Sequence, residues 1–129
     1  MLTFSEIQTL KRQLLGYWGA ETERCGVIEA NQIIAEVPNL SKDPKNTFTF
    51  RMEDLHNGVE ATWHSHPVTT ANLSIEDYRF FQSWPQMVHF IIGVDGVRCY
   101  QVIDGIVYCV EDEADYSPRQ DEGALQQAD

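Results

Sequence analysis

Apolar residues recur at helical spacing near the start of the chain. The residues on this stripe are Phe4, Ile7, Leu10, Leu14 and Trp18. Thr3 and Glu6 stand at its beginning with the Thr-x-x-Glu spacing of a helix N-cap, in which each side chain bonds the other residue's backbone N–H. The pattern therefore predicts an amphipathic helix that ends near residues 16–19, where two glycines lie.

Short apolar runs separated by turn residues then replace the helical spacing, which is typical of strands. Two runs around the polar residues 29–32 predict a β-hairpin, and Pro38 ends it because proline has no N–H to give to the ladder. The segments predicted before Gly58 are strands at 25–28 and 33–37, a loop at 39–46, a strand at 47–51 and a short helix at 52–57.

The second half of the chain predicts a strand, a helix and three further strands. The strand covers 59–64, and Pro67 makes the chain leave the sheet soon after it. A helix begins at Ser74, carries Tyr78, Phe81 and Trp84 on one stripe, and ends at Pro85. The last strands, joined by Asp-Gly turns at 95–96 and 104–105, are predicted at 87–94, 97–103 and 106–110. The fold class is therefore α/β, with about six strands and two main helices.

Charge divides the chain into two parts. Its 129 residues fit one domain, and 20 acidic against nine basic side chains give a net charge of −11. Residues 111–129 contain seven acidic residues, one arginine and few apolar side chains, so we expect a disordered acidic tail there and a folded domain over 1–110. Nucleic acid is not an expected partner, because so acidic a chain repels phosphate.

Apolar stretches and cysteines indicate the compartment. No stretch approaches the ~18 apolar residues of a membrane span, and no signal-peptide core precedes Lys11 and Arg12. Cys25, Cys99 and Cys109 form neither an even disulfide framework nor a C-x-x-C pair. We therefore expect a soluble cytoplasmic protein without membrane contact and without a thiolate metal cluster.

The chemistry-bearing residues concentrate between 64 and 77. Alternate residues of a strand face the same side, so His64 and His66 can present two imidazoles to one point. Asp77, near the start of the following helix, is the best candidate for a third ligand. Two histidines and one aspartate that leave a fourth position for water are typical of catalytic zinc. We therefore expect Zn²⁺ bound by these three residues.

Structural roles compete with this interpretation, because Ser74 and Asp77 also have helix N-cap spacing and His-x-His pairs are common without a metal. Other His-x-His enzymes fit less well. A metallo-β-lactamase-like site needs an Asp-His pair where Val68 and Thr69 stand, an amidohydrolase barrel needs about 250 residues, and a zinc deaminase needs a cysteine pair. A hydrolytic zinc site in a small α/β domain remains.

The same residues resemble the JAMM motif of the JAB/MPN metalloenzymes. That motif is His-x-His-Pro followed by Ser and Asp, and His64, His66, Ser74 and Asp77 match it. The family also has an upstream glutamate in a Glu-x-Met/Cys-Gly pattern, which Glu23 matches through the stretch Glu-Arg-Cys-Gly. The resemblance implies a single MPN/JAB domain with a mixed, cytidine-deaminase-like sheet.

Catalytic roles follow from the resemblance and from zinc chemistry. Zinc would lower the pKa of a bound water toward ~7 and polarise the scissile carbonyl. Glu23 would be the general base that moves the water proton to the leaving amine, and Ser74 would donate a hydrogen bond to the oxyanion. His56, His89 and Cys25 are expected to be structural or surface residues.

The function that the resemblance implies is amide hydrolysis after the C-terminal glycine of a ubiquitin-like protein, in deconjugation or precursor processing. The partner would be that protein or its conjugate, and a small prokaryotic domain of this kind suits a bacterial antiphage ubiquitin-like system. Two alternatives stay open. One is a phage tail-assembly-type peptidase that acts on another peptide or a cell-wall crosslink, and the other is a non-catalytic MPN scaffold.

Overall fold

The computed structural model describes residues 2–56 and 58–117. Within these residues, one six-stranded sheet is flanked by two α-helices, as the sequence predicts for its α/β class. The elements in chain order are α1 (Phe4–Leu14), β1 (Cys25–Glu29), β2 (Ile33–Val37), β3 (Val59–Ser65), α2 (Ile75–Ser83), β4 (Val88–Gly93), β5 (Gly96–Ile103) and β6 (Ile106–Val110).

The sheet is mixed. Its strand order is β2-β1-β3-β4-β5-β6, and β3 pairs in parallel with β4 while the other neighbours are antiparallel. Parallel neighbours need a crossover connection, and α2 provides it between β3 and β4. This unit decides where the site lies, because the end of β3 and the start of α2 come together.

The first helix has the predicted N-cap. The Thr3 hydroxyl accepts the Glu6 N–H at 3.1 Å, and the Glu6 carboxylate accepts the Thr3 N–H at 2.9 Å. Ile7, Leu10 and Leu14 are buried on its stripe. The stripe predicted that Trp18 belongs to the helix, but it does not. The chain tightens into a 3₁₀ turn over Leu15–Tyr17 and is extended at Trp18.

Alternation along β3 separates two cores. Ala61 and Trp63 belong to the core that α1 covers, together with Phe90 and Ile92 of β4. The intervening residues face the other way, toward the α2 side, where Phe81, Ile91, Tyr100 and Val102 form a second core. His64 is therefore directed toward α2 rather than toward α1.

The predicted strand at 47–51 is not formed. The contacts of this segment are only partly those of a ladder: the Thr49 carbonyl accepts the Leu40 N–H at 2.8 Å, and the Thr49 N–H is bonded to the Asn39 side chain at 3.1 Å. Because a side chain occupies the place of a backbone partner, no strand pair can continue. Phe48 and Phe50 instead pack against Phe80 of α2.

Two local predictions need adjustment. The predicted helix at 52–57 is one 3₁₀ turn over Met52–Asp54 among the described residues. The β4–β5 hairpin turns at 94–95, since Gly93 pairs with Gly96, one position earlier than predicted. The β5–β6 turn is as predicted, because Asp104 and Gly105 take φ values of 53° and 79°, the left-handed conformation that matches strand twist.

The chain keeps its contacts with the domain beyond the expected boundary at residue 110. A 3₁₀ turn over Glu113–Asp115 is followed by Tyr116, whose hydroxyl donates to the Leu2 carbonyl at 2.6 Å. Ser117 donates its N–H to the Gln101 side chain at 3.1 Å. Residues 118–129 of the expected tail lie outside the described residues. In the part that is described, no helix is both long and apolar enough to cross a membrane.

Gly26 gives a test of the packing between β1 and β3. A Cβ there would lie 2.0 Å from the Ala35 carbonyl and 2.5 Å from the Trp63 indole nitrogen, which donates to that carbonyl. We predict that Gly26→Ala lowers the free energy of unfolding by about 2 kcal/mol or more in urea denaturation. Gly16→Ala is the control, because nothing lies within 4 Å of its Cβ position. Equal effects of the two variants would contradict the packing.

Candidate metal centre

Two imidazoles meet at the end of β3. His64 lies within the strand, and His66 follows its last residue while its N–H still bonds to the Ile92 carbonyl of β4 at 2.7 Å. The two side chains thus stay on one face, and their Nε2 atoms lie 3.2 Å apart. Both residues are buried.

Asp77 brings a carboxylate to the same point from the first turn of α2. Its Oδ1 lies 3.0 Å from Nε2 of His64, and its Oδ2 lies 3.1 Å from Nε2 of His66. Asp77 and Ser74 also form the N-cap of α2. Oδ2 of Asp77 accepts the Ser74 N–H at 3.0 Å, and the Ser74 hydroxyl accepts the Asp77 N–H at 3.1 Å. The helix cap thus fixes the carboxylate that faces the imidazoles.

Hydrogen bonds settle the tautomer of His66. Its Nδ1 lies 2.8 Å from the Thr70 carbonyl, which can only accept, so Nδ1 carries the proton. In the neutral ring, Nε2 is then an acceptor that points at His64 and Asp77. Nδ1 of His64 is buried and has no hydrogen-bond partner among the described residues, and Phe48 stacks on this ring with centroids 4.2 Å apart.

Glu23 adds a second carboxylate. Ligand atoms of Glu23, His64 and His66 all lie within 4.8 Å of one another, so this buried Glu-His-His cluster could hold a metal ion. The neighbouring residue Arg24 explains the position of Glu23. The backbone N–H of Arg24 donates to the Ser65 hydroxyl at 2.9 Å, and the Ser65 N–H donates to the Arg24 carbonyl at 2.8 Å. The segment before β1 is thereby held beside the end of β3.

Asn39 and Pro44 also hold the backbone of Glu23, and the sequence alone did not indicate either. The Asn39 amide donates to the Glu23 carbonyl at 2.7 Å, and the Pro44 carbonyl accepts the Glu23 N–H at 2.6 Å. Trp18 was likewise missed as a site residue, although its indole donates to the His66 carbonyl at 3.0 Å. An asparagine or tryptophan outside a motif gives no signal of such long-range contacts.

Burial and charge oppose each other at the four groups. Burial raises the pKa of Glu23 from 4.5 to about 7, with only partial compensation from His66. Burial also acts to raise the pKa of Asp77, but the two imidazoles and the Ser74 N–H outweigh it and hold the pKa well below its usual value. Burial lowers the pKa of His64 despite Asp77. For His66, burial is outweighed by Asp77 and Thr70, and the pKa rises.

The donor set fits a small divalent cation. Tetrahedral coordination with metal–ligand bonds near 2.0–2.1 Å separates the ligand atoms by about 3.3 Å. The two Nε2 atoms lie 3.2 Å apart, and each lies 3.0 or 3.1 Å from one of the two Asp77 carboxylate oxygens. Ligand atoms of Glu23 lie within 4.8 Å of those of both imidazoles, a distance that suits either a ligand or a group that acts on a bound molecule.

A cavity of about 250 Å³ opens onto this cluster. It is lined by Glu23, Ser74, Asp77 and Phe80 and by the segment 46–49. Because the Ser74 hydroxyl uses a lone pair to cap α2, its hydrogen remains available to a molecule in the cavity. Three of the five residues of the predicted site, Glu23, Ser74 and Asp77, therefore line this opening.

The residues expected to be structural have structural surroundings. His89 is buried, stacks on Phe81 at 4.3 Å, and is bonded to the Thr62 hydroxyl and the Trp84 carbonyl. Burial lowers the pKa of His89 to about 3, so it stays neutral. Burial raises the pKa of Cys25 to about 12, which leaves it a thiol at neutral pH and a poor nucleophile.

Comparison with known proteins gives a fold likeness. No family model matches the sequence, and a search of curated proteins gives no match. Among solved structures, the solution structure of a protein from Desulfitobacterium hafniense matches with a TM-score of 0.53 and 19% sequence identity. The match covers 83% of this chain and 84% of that chain. It supports the fold described above and carries no information about the site.

We predict that the protein binds one zinc ion per chain. Zinc at 100 times its Kd should stabilise the fold by about 2.7 kcal/mol, and calorimetry should measure both binding and the shift in Tm. His66→Gln removes one imidazole nitrogen and should weaken binding more than about 100-fold. His56→Gln, which changes an exposed histidine outside the cluster, should bind like the wild type. Equal affinity of the two variants would exclude this site.

The raised pKa of Glu23 predicts a pH-dependent stability. In the metal-free protein the folded state holds a proton that the unfolded state releases between pH 4.5 and about 7, so this group's contribution to stability falls as pH rises through that range. Glu23→Gln has no such proton, and its Tm relative to wild type should therefore increase from pH 5 to pH 8 in EDTA. Glu29→Gln is the control, and a Tm difference independent of pH for Glu23→Gln would contradict the assignment.

Proposed function

We propose that this protein is a JAMM-type zinc isopeptidase or peptidase with an MPN/JAB fold, which hydrolyses the amide bond after the C-terminal glycine of a ubiquitin-like protein. The observation that carries the proposal is the convergence of His64, His66 and Asp77 within 3.2 Å, with Glu23 in the same buried cluster. These are the residues that resemble the JAMM motif.

Zinc is the proposed ion because two imidazoles and one carboxylate are a ligand set typical of catalytic zinc. His64, His66 and Asp77 would hold it, and Asp77 also lines the cavity. The ion would supply a Lewis acid for the scissile carbonyl and would activate water at neutral pH. The chain's own side chains carry the proton transfers.

Glu23 serves as the general base. Its carboxylate takes a proton from the attacking water as the water oxygen bonds to the carbonyl carbon. The same proton passes to the amide nitrogen when the C–N bond breaks, since an amine leaves only when it is protonated. A buried carboxylate beside the cavity can both accept and return this proton, and Glu23 is buried and lines that cavity.

Ser74 stabilises the negative charge that develops on the carbonyl oxygen. Its hydroxyl is exposed to the cavity at the N-terminus of α2, and the N–H of Asp77 fixes the oxygen position at 3.1 Å. The hydroxyl hydrogen can therefore donate to the oxyanion without reorganisation. Loss of one such donor typically costs about 10²- to 10³-fold in rate.

The segment beside the site suits an extended peptide. Thr49 directs both its N–H and its carbonyl to the stretch 39–40, whereas the backbones of Phe48 and Phe50 have no hydrogen-bond partner among the described residues. Successive residues of an extended chain direct these groups to opposite sides. The free side can pair with the C-terminal tail of a ubiquitin-like substrate, as strand addition does elsewhere.

The compartment proposed for this activity is the cytoplasm. Cys25, Cys99 and Cys109 are all free thiols, as expected where the surroundings are reducing. A bacterial antiphage ubiquitin-like system would provide the substrate there.

We predict that the zinc-loaded protein cleaves a ubiquitin-like protein fused through Gly-Gly to a reporter. Glu23→Gln should reduce kcat about 10²- to 10⁴-fold and leave zinc content unchanged, because the residue moves protons and is not a ligand. Glu29→Gln, at the far end of β1, is the matched control. Cleavage products are quantified by mass spectrometry.

Two outcomes would contradict the proposal. Undiminished cleavage by Glu23→Gln would remove the assigned mechanism. Stoichiometric zinc without cleavage of any ubiquitin-like fusion would instead favour the MPN scaffold, and cleavage of cell-wall crosslink peptides alone would favour the tail-assembly-type peptidase.

A further inference from the structure

A second, larger cavity lies beside the candidate metal centre. Its volume is about 610 Å³, and it is lined by Phe48, Phe50, Leu55, Phe80 and Trp84, with Met52 largely exposed nearby. The remaining lining residues are uncharged, so the cavity presents aromatic and aliphatic surface to solvent. The mechanism proposed above does not use this surface.

The two cavities adjoin each other. Phe48, Thr49 and Phe80 line both of them. The ring centroids of His64 and Phe48 lie 4.2 Å apart, and those of Phe48 and Phe50 lie 5.7 Å apart. The path from His64 to Phe50 over these rings is about as long as three residues of an extended chain. A peptide cleaved at the metal centre therefore places a nearby side chain over the larger cavity.

The larger cavity is expected to lie on one side of the scissile bond. Phe48 and Phe50 form its wall, and the same residues present the free backbone edge proposed to hold the acyl part of the substrate. A third cavity, lined by Glu21, Thr22, Lys45 and Asn46 together with Ala20, Pro67 and Val68, combines charged, polar and apolar groups. We therefore assign the aromatic cavity, which has no charged lining residue, to the acyl side.

The arrangement of the rings indicates the kind of side chain. Phe80 meets Phe48 and Phe50 edge to face, with centroids 5.3 and 5.8 Å apart. Trp84 extends this aromatic wall. A further ring can add another edge or face contact, which a short aliphatic side chain cannot make.

We propose that this cavity is a specificity subsite for a large apolar side chain, aromatic by preference, on the acyl side of the cleaved amide and within about three residues of it. The inference rests on the proposed function for the direction of the chain. It defines the substrate class as peptide tails with a bulky apolar residue shortly before the terminal glycine.

The test uses the peptide Ala-Ala-Ala-Ala-Gly-Gly joined to a fluorogenic amine, with each alanine replaced in turn by Phe, Leu or Lys. At one position, Phe should raise kcat/KM about 10-fold or more over Ala, Leu should raise it less, and Lys should lower it. The same peptides as amides, titrated into zinc-loaded Glu23→Gln by calorimetry, should bind in the same order.

A cavity-filling variant localises the preference. Ser83 is exposed and lines only the larger of the two cavities, so Ser83→Phe should abolish the advantage of the Phe peptide over the all-alanine peptide. Gln86→Phe adds the same ring outside both cavities and should keep the advantage. A preference that survives Ser83→Phe, or its absence from both cleavage and binding, would overturn the inference. Selective binding without any cleavage would support the subsite and contradict the proposed hydrolysis.

Discussion

Two imidazole nitrogens and one carboxylate held against one another in a buried place are the constraint on which the site depends. Nε2 of His64, Nε2 of His66 and the Asp77 carboxylate approach within 3.0–3.2 Å. Such a cluster is costly in an apolar interior unless a cation or a shared proton neutralises it. Glu23 increases the cost, because it adds a carboxylate whose pKa burial has already raised to about 7.

The α/β topology explains how so small a domain assembles the cluster. The parallel pair β3–β4 requires α2 as its crossover, so the helix N-terminus stands beside the end of β3. Ligand sites in such sheets commonly lie where strands end and crossovers begin. Asp77 uses the helix cap to fix its carboxylate, and Arg24 and Ser65 tie the Glu23 segment to the same strand end. The strand pair, the helix cap and the Arg24–Ser65 hydrogen bonds that stabilise the fold therefore also position the site residues.

Local patterns predicted most elements because the interactions that form them are local. The Thr3–Glu6 cap, the hairpin around residues 29–32 and the alternation of β3 depend on neighbours in sequence. The structure also brings His64, His66 and Asp77 together, and the sequence could indicate this because the spacing from His64 to Asp77 lies within one strand–crossover unit. The grouping of Glu23 with them rested on resemblance to the JAMM motif alone.

The errors arise where distant contacts override a local pattern. Residues 47–51 alternate like a strand, but the Asn39 side chain takes the place of a partner strand. Tyr116 lies in an acidic stretch, yet its hydroxyl reaches Leu2, nearly the whole chain away. Trp18 fits the stripe of α1 but leaves the helix and bonds to the His66 carbonyl. None of these partners can be identified from spacing.

The central claim concerns the ligands of the ion, and X-ray absorption at the zinc edge of the zinc-loaded protein measures them directly. The account predicts two imidazole nitrogens at about 2.0–2.1 Å and oxygen ligands at about 2.0–2.2 Å, in four-coordinate geometry. A spectrum without imidazole scattering, or one dominated by sulfur at about 2.3 Å, would contradict it.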